Sequence, residues 1–133
     1  MSRKTKTHKI LIIDDEAAIL SALELFLEQE GYEAEVSTSF EKYLKSSKRP
    51  RLPDLIILDI LLGNEDGRAI ARRFKASTVT QRIPIIMISA HPDIAEMSRS
   101  AGADAYLPKP FNTEVILQTI DRLLEAAPSS SLS

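Results

Sequence analysis

The segment ILIIDD, residues 10–15, places four apolar residues directly before two aspartates. Two further segments share this design, namely LIILD at residues 55–59 and IIMIS at residues 85–89. None of the three alternates between apolar and polar residues, which is typical of strands buried on both faces of a parallel sheet. The sequence therefore predicts three central parallel strands, each of which ends at or leads into a polar side chain.

Two weaker strands complete the predicted sheet. Residues 34–37 are half polar, and residues 105–107 are followed by Pro108 and Pro110, so both segments suit the edges of a sheet. We therefore expect the strand order 2-1-3-4-5. In this order a topological switch point lies between the first and third strands, and a ligand site is expected at their carboxyl ends.

Five helical segments alternate with the strands. Ser39, Asp66 and Asn112 are placed to cap helices, and Gly31 and Gly102 suit helix ends. The first predicted helix covers residues 16–30, with Ile19, Leu23, Phe26 and Leu27 on one face. The next three cover residues 40–45, 67–75 and about 92–101. The last carries Ile116, Ile120, Leu123 and Leu124 on one stripe. The pattern predicts an α/β fold with a five-stranded parallel sheet flanked by five helices, doubly wound and flavodoxin-like.

Composition indicates one ordinary globular domain. The chain has 133 residues, 44% of them hydrophobic, and no cysteine. A formal net charge of -2 argues against a function that depends on nucleic-acid or membrane electrostatics. No apolar run approaches the roughly 20 residues that span a bilayer, so we expect a cytoplasmic protein. The domain is expected to cover residues 9–126, between a basic flexible tail at 1–8 and a Ser-rich tail or linker start at 127–133.

Three carboxylates are predicted to meet at the switch point. Asp14 and Asp15 follow the first strand, with Glu16 next to them, and Asp59 ends the third strand. Such groups repel one another unless a cation lies between them. A small cluster of hard oxygen ligands favours Mg²⁺, whereas Ca²⁺ needs more ligands than the sequence offers here. An acidic pair at a strand end can also simply cap the following helix.

The fourth and fifth strands add groups suited to a phosphate. Ser89 and Ala90 lie at the end of the fourth strand, and Lys109 follows the fifth. Three carboxylates carry three negative charges, which one divalent cation and one lysine balance. An ionised carboxylate such as Asp59 needs no general base to attack phosphorus. The chain has no glycine-rich loop that would bind a nucleotide, so we expect that a phosphoryl group attacked by Asp59 would arrive on another protein.

Taken together, these positions resemble a known family. The chain has Asp14-Asp15, Asp59 with Gly67 eight residues later, Ser89-Ala90, Tyr106 and Lys109-Pro110-Phe111. This combination resembles the receiver (CheY-like) domain of two-component response regulators, and the resemblance covers roughly residues 9–125.

The resemblance implies specific roles in the site. Asp59 would be the phosphoacceptor, Ser89, Ala90 and Lys109 would bind the phosphoryl group, and Ser89 and Tyr106 would act as the switch. The Lys109–Pro110 peptide is expected to be cis. The cofactor would be Mg²⁺, with Mn²⁺ as a substitute, held by Asp14, Asp15, Asp59 and the backbone carbonyl of Leu61.

The resemblance also implies partners. A sensor histidine kinase or a histidine phosphotransfer protein would donate the phosphoryl group. A downstream effector would bind the face formed by the fourth helix, fifth strand and fifth helix, and phosphorylation could drive dimerisation. We expect this domain to bind neither nucleic acid nor membrane.

The same residues are compatible with other interpretations. A receiver-like scaffold could act without phosphorylation. A haloacid-type phosphatase would carry a second aspartate where Leu61 stands, and a flavodoxin would need a phosphate loop rich in Ser, Thr and Gly. Gly63 occupies a position where many receivers have proline, which predicts a more mobile active-site loop. The short fourth helix predicts a modified recognition face.

Overall fold

The computed structural model describes residues 7–46 and 51–126. Most of the predicted basic tail and all of the Ser-rich tail lie outside the described residues. Within them, no helix combines the length and the apolar character needed to cross a membrane. The elements in chain order are β1 (Lys9–Ile13), α1 (Ala17–Gln29), β2 (Glu33–Ser37), α2 (Phe40–Ser46), β3 (Leu55–Asp59), β4 (Leu61–Leu62), β5 (Glu65–Asp66), α3 (Gly67–Ala76), β6 (Ile85–Ser89), α4 (Ile94–Ser100), β7 (Ala105–Pro108) and α5 (Thr113–Ala126).

The five long strands form one parallel sheet in the order β2-β1-β3-β6-β7, which confirms the predicted order 2-1-3-4-5. Every residue of β1, β3 and β6 is buried, whereas the edge strands β2 and β7 are partly exposed. Because the strands are parallel, their carboxyl ends lie along one edge of the sheet. The switch point between β1 and β3 therefore lies on that edge.

Apolar layers cover both faces of the sheet. Successive residues of a strand point to opposite faces. Leu11 and Ile13 pack with α2, α3 and α4, while Ile10 and Ile12 pack with α1 and α5. The central strands lack an alternating pattern because both of their faces are buried in this way.

Helix α1 buries a slightly different face from the one that the sequence predicts. Leu20, Leu23 and Leu27 are buried in α1, whereas Ile19 and Phe26 of the predicted stripe are only half-buried.

The predicted capping residues form the expected contacts. The backbone N–H groups donate to Ser39 Oγ from Lys42 at 3.0 Å, to Asp66 Oδ1 from Arg68 at 2.9 Å, and to Asn112 Oδ1 from Glu114 at 2.6 Å.

Helix α4 begins later than expected, at Ile94 rather than near Pro92. A turn centred on His91 precedes it. The backbone N–H of Asp93 donates to His91 Nδ1 at 3.0 Å, and that of Ile94 donates to the His91 carbonyl at 3.2 Å. These contacts hold Pro92 in the turn, ahead of the first helical residue.

A short β-hairpin that the sequence does not predict lies between β3 and α3. Leu61 pairs with Asp66 and Leu62 with Glu65, in antiparallel register. Gly63 begins the two-residue turn with a φ of +66°, a conformation that tight hairpin turns need and that glycine adopts readily. The mobility expected at Gly63 stays a prediction.

Gly67 permits a close approach between the start of α3 and the end of β3. A Cβ atom at this position would lie 2.3 Å from the Asp59 carbonyl oxygen and 2.7 Å from Ile60 Cα. Both are backbone atoms, so a rotamer change cannot relieve the clash. The hairpin and Asp59 therefore depend on a residue without a side chain here.

We expect Gly67→Ala to lower the free energy of unfolding by roughly 2–3 kcal/mol, because the extra methyl group overpacks against backbone. Gly31→Ala is the control, since an added Cβ there meets nothing within 4 Å, although its φ of +95° still disfavours alanine. Urea unfolding of both variants measures the difference. Gly67 has no positive φ, so an unchanged free energy of unfolding in Gly67→Ala would show that the neighbouring backbone yields to the added methyl group without cost.

Candidate functional site

Four strand ends bring the predicted site residues to one edge of the sheet. Asp14 follows β1, Asp59 ends β3, Ser89 ends β6, and Lys109 follows β7. Asp59, Ser89 and Lys109 line a cleft of about 690 Å³ at the switch point. The residues that line the cleft are Asp15, Glu16, Ile19, Asp59, Leu61, Ser89, Ala90, Lys109, Pro110 and Phe111.

The three aspartates form a compact acidic cluster. One carboxylate oxygen from each of Asp14, Asp15 and Asp59 lies within 4.8 Å of the others. Asp14 is fully buried and Asp59 is 3% exposed, whereas Asp15 is exposed to solvent. The structure thus brings together the carboxylates that the sequence placed at two separate strand ends.

The environment of Asp14 fits a divalent cation. Its Oδ1 atom accepts a hydrogen bond from Glu16 N at 2.8 Å. Its buried Oδ2 atom accepts no hydrogen bond from any described residue and has only an ion pair, 3.0 Å from Lys109 Nζ. Asp14 Oδ2 therefore has capacity to bind a further positive charge. Together with the carboxylates of Asp15 and Asp59, it forms a set of oxygen ligands suited to a hard cation.

Lys109 is the positive charge of the site. Its Nζ atom lies 3.0 Å from Asp14 Oδ2, 3.1 Å from Asp59 Oδ2 and 2.8 Å from Glu16 Oε1. These three carboxylates raise the pKa of the lysine, against the opposing effect of burial, and keep it charged. The sequence alone predicts no role for Glu16, although its position directly after the aspartate pair is a usable signal.

Burial and repulsion make Asp59 unusually basic. Removal from water, reinforced by the negative charge of Asp14, raises the pKa of Asp59 from 3.8 to about 6. Lys109 and a hydrogen bond from Leu61 N to Asp59 Oδ1, at 3.1 Å, act in the opposite direction. The balance leaves a carboxylate that is ionised at neutral pH and carries an electrostatic cost.

Ser89 lies beside the cluster with its hydroxyl engaged elsewhere. The side chain is buried, and its Oγ atom accepts a hydrogen bond from His91 N at 3.0 Å. The neighbouring Ala90 is exposed at the cleft. The contact uses the backbone N–H of His91, so the main chain of the β6–α4 loop holds Ser89.

Two other predicted residues lie along β7 and its carboxyl end. Tyr106 pairs in register with Met87 of β6, and its side chain is 44% exposed. It does not line the cleft that contains Asp59. The peptide between Lys109 and Pro110 is cis.

The strand order and the flanking helices place this domain in the CheY-like class of flavodoxin folds. The family model described as the response regulator receiver domain matches residues 10–121. The chain belongs to this family, the receiver domains of two-component systems. The acidic cluster of Asp14, Asp15 and Asp59 is consistent with the metal site expected from the sequence.

Curated relatives support the same assignment. The phosphate regulon transcriptional regulatory protein PhoB of Rhizobium meliloti is 35% identical over 127 residues, which cover 94% of this chain and 56% of PhoB. The DNA-binding dual master transcriptional regulator RpaA of Synechocystis is 33% identical, with 93% of this chain and 55% of RpaA covered. This chain spans about half the length of the curated relatives it matches.

Solved structures agree with the observed fold. The CheY-like response regulator receiver domain protein of Methanospirillum hungatei is 30% identical, with a TM-score of 0.81 over 90% of this chain and 95% of that one. Vibrio cholerae chemotaxis protein CheY4 is 27% identical, with a TM-score of 0.79 over 89% of this chain and 99% of CheY4.

The raised pKa of Asp59 predicts a pH-dependent cost to stability. The folded protein binds this proton more tightly than the unfolded chain does, so the contribution of Asp59 to the free energy of unfolding falls as pH rises from 3.8 to about 6. In metal-free buffer, we expect the free energy of unfolding of Asp59→Asn to increase relative to that of the wild type as the pH rises from about 4 to about 7. The expected increase is about 1–3 kcal/mol.

Denaturant unfolding at several pH values measures this gain. Glu28→Gln, which changes an exposed residue of α1, is the control and should track the wild type. A stability difference between Asp59→Asn and the wild type that does not vary with pH would contradict the prediction.

Proposed function

We propose that this receiver domain accepts a phosphoryl group on Asp59 from a phosphohistidine and thereby relays a signal. One observation carries the proposal: the buried Asp59 carboxylate lies in the switch-point cleft, clustered with Asp14 and Asp15 and 3.1 Å from Lys109 Nζ. The donor would be a sensor histidine kinase or a histidine phosphotransfer protein.

The transfer needs little beyond positioning. An oxygen of the ionised Asp59 carboxylate forms a bond to phosphorus while the bond from phosphorus to the donor imidazole breaks. The electron pair of that bond stays on the imidazole nitrogen, so no general base is required. The hydrogen bond from Leu61 N to Oδ1 orients the carboxylate, and Lys109 offers a positive charge to the phosphoryl oxygens.

Asp14, Asp15, Asp59 and the Leu61 carbonyl would hold Mg²⁺, and Mn²⁺ fits the same oxygen donors. When bound, the cation supplies charge neutralisation at the transferring phosphoryl group. Lys109 remains beside Asp14 and Glu16 to balance the added negative charge.

Phosphorylation would act on the residues at the ends of β6 and β7. Ser89 Oγ, now paired with His91 N, would turn to the phosphoryl group, and Ala90 would offer its backbone N–H. This change would release the β6–α4 loop and be transmitted to Tyr106, the switch residue on β7. A phosphoryl charge added at Asp59, and a β6–α4 loop that exchanges one set of hydrogen bonds for another, would shift the population between two conformations of the domain.

The output side of the proposal rests on the α4, β7 and α5 face. A downstream effector would bind this face, or two phosphorylated copies would dimerise through it. The chain covers about half of relatives named as transcriptional regulators, so an output domain on the same polypeptide fits the proposal equally well. We place the domain, residues 9–126, in the cytoplasm, with no direct contact to nucleic acid or membrane.

The acceptor assignment predicts a specific change in mass. After incubation with a small-molecule phosphodonor and Mg²⁺, the intact protein should gain one phosphoryl group. Asp59→Asn should gain none, and neither should the wild type in the presence of a chelator. Labelling that survives in Asp59→Asn would refute the acceptor assignment. If the small donor fails, incubation with phosphorylated histidine kinases decides between a donor-selective receiver and a phosphorylation-independent scaffold.

The metal assignment predicts stabilisation by Mg²⁺. Binding to the folded state alone should add about 2.7 kcal/mol at a concentration 100 times the dissociation constant, seen as a rise in Tm. Asp15→Asn should reduce the rise, because it removes the exposed carboxylate of the cluster, while Glu28→Gln should keep it. A rise of the same size in Asp15→Asn would place the bound cation elsewhere.

A further inference from the structure

We propose that Glu65 is a positioning residue for the metal and phosphoacceptor site, because it ties the β4–β5 hairpin to α2. The inference rests on the proposed function and deepens it, since it names a residue that controls how the acidic cluster is held. Glu65 lies in β5 and contacts neither Asp59 nor Lys109 through any hydrogen bond or ion pair of the described residues.

The tie consists of two hydrogen bonds across a long sequence separation. Glu65 Oε1 accepts from Phe40 N at 2.8 Å, and Glu65 Oε2 accepts from Glu41 N at 3.1 Å. Both donors belong to the first turn of α2, whose N–H groups have no partner within the helix. Ser39, which directly precedes the helix, accepts a hydrogen bond from Lys42 N in the same turn and leaves Phe40 N and Glu41 N to Glu65. Glu65 therefore uses both carboxylate oxygens to join two elements.

The hairpin needs such a tie because it is small. Two residue pairs make a ribbon that is not stable by itself in water. Leu62 anchors it to the core, with 3% exposure, and Asp66 links it to the start of α3 through Arg68 N. Glu65 supplies the link toward α2. Neighbouring residues of a strand point to opposite sides, so Glu65 and Asp66 can cap two different helices.

The hairpin forms part of the proposed metal site. Leu61 N donates to Asp59 Oδ1 at 3.1 Å, and the Leu61 carbonyl belongs to the same short strand. At the turn, the Cβ position of Gly63 lies 3.6 Å from Asp15 Oδ2. A displaced hairpin would therefore alter the surroundings of two of the three carboxylates. The tie also restrains the loop at Gly63, where the sequence predicts mobility.

The experiment compares Glu65, which joins the hairpin to α2, with the nearby Glu41, whose side chain pairs with Lys45. Glu65→Ala removes the tie, and Glu65→Gln keeps one oxygen acceptor of the two. Glu41→Gln is the matched control, because its side chain pairs with Lys45 on the surface and does not reach the hairpin. The Mg²⁺ dissociation constant is measured by isothermal titration calorimetry, and Tm is measured in chelator.

Glu65→Ala should weaken Mg²⁺ binding roughly 10-fold, as expected when an indirect partner of a metal site is removed. Glu65→Gln should show a smaller loss and Glu41→Gln none. Labelling of Glu65→Ala should be slow at low Mg²⁺ and recover when Mg²⁺ is saturating. Glu65→Gln preserves the test if the alanine variant does not fold.

An unchanged Mg²⁺ dissociation constant in Glu65→Ala would overturn the proposal, even if Tm falls, because Glu65 would then only cap α2. An equal loss in Glu41→Gln would overturn it too, since the effect would be one of helix charge. If the wild type neither binds Mg²⁺ nor labels, the proposed function itself fails. If the wild type does both and Glu65→Ala matches it, the positioning role alone fails.

Discussion

Two neighbouring carboxylates, Asp14 and Asp59, are buried at one edge of the sheet, and the cost of holding their charges out of water is the constraint on which the site depends. Two buried carboxylates stay ionised together only beside a compensating cation, because otherwise one of them takes up a proton. Lys109 Nζ supplies that charge at 3.0 and 3.1 Å. One lysine does not neutralise the whole cluster. Burial and the charge of Asp14 still raise the pKa of Asp59, and Asp14 Oδ2 has its ion pair with Lys109 and no hydrogen bond from the described residues.

The fold maintains this arrangement by rigidity around the site. The central strands that deliver Asp14, Asp59 and Ser89 are buried on both faces, so their carboxyl ends cannot shift independently of the core. The connecting segments are less uniform. Ser89 is held by the turn at His91, and the loop after Asp59 is held by the tie from Glu65 to α2. The domain thus combines fixed strand ends with loops whose arrangement depends on a few hydrogen bonds.

Much of the fold, and the meeting of the strand-end polar residues at one edge of the sheet, could be predicted because the signals are local. Unbroken apolar runs identify the buried strands, and the polar residues at their ends necessarily meet when the strands are parallel. The start of α4 was predicted two residues early, because the side chain of His91 forms a turn that no propensity at Pro92 reveals. The hairpin was not predicted at all, because two-residue strands carry no periodic signal.

The sequence by itself determined the order of the strands, the family of the domain and the meeting of Asp14, Asp15, Asp59 and Lys109 at the switch point. The strand order and the meeting of these residues follow from hydrophobic patterning and from the geometry of a parallel sheet, whereas the family follows from the resemblance of the motif residues to receiver domains. Only the tertiary structure decided that Glu16 shares Lys109, and that Glu65 binds the first turn of α2. Such contacts join residues distant in sequence, and they form only where the packed backbone brings donor and acceptor within hydrogen-bonding distance.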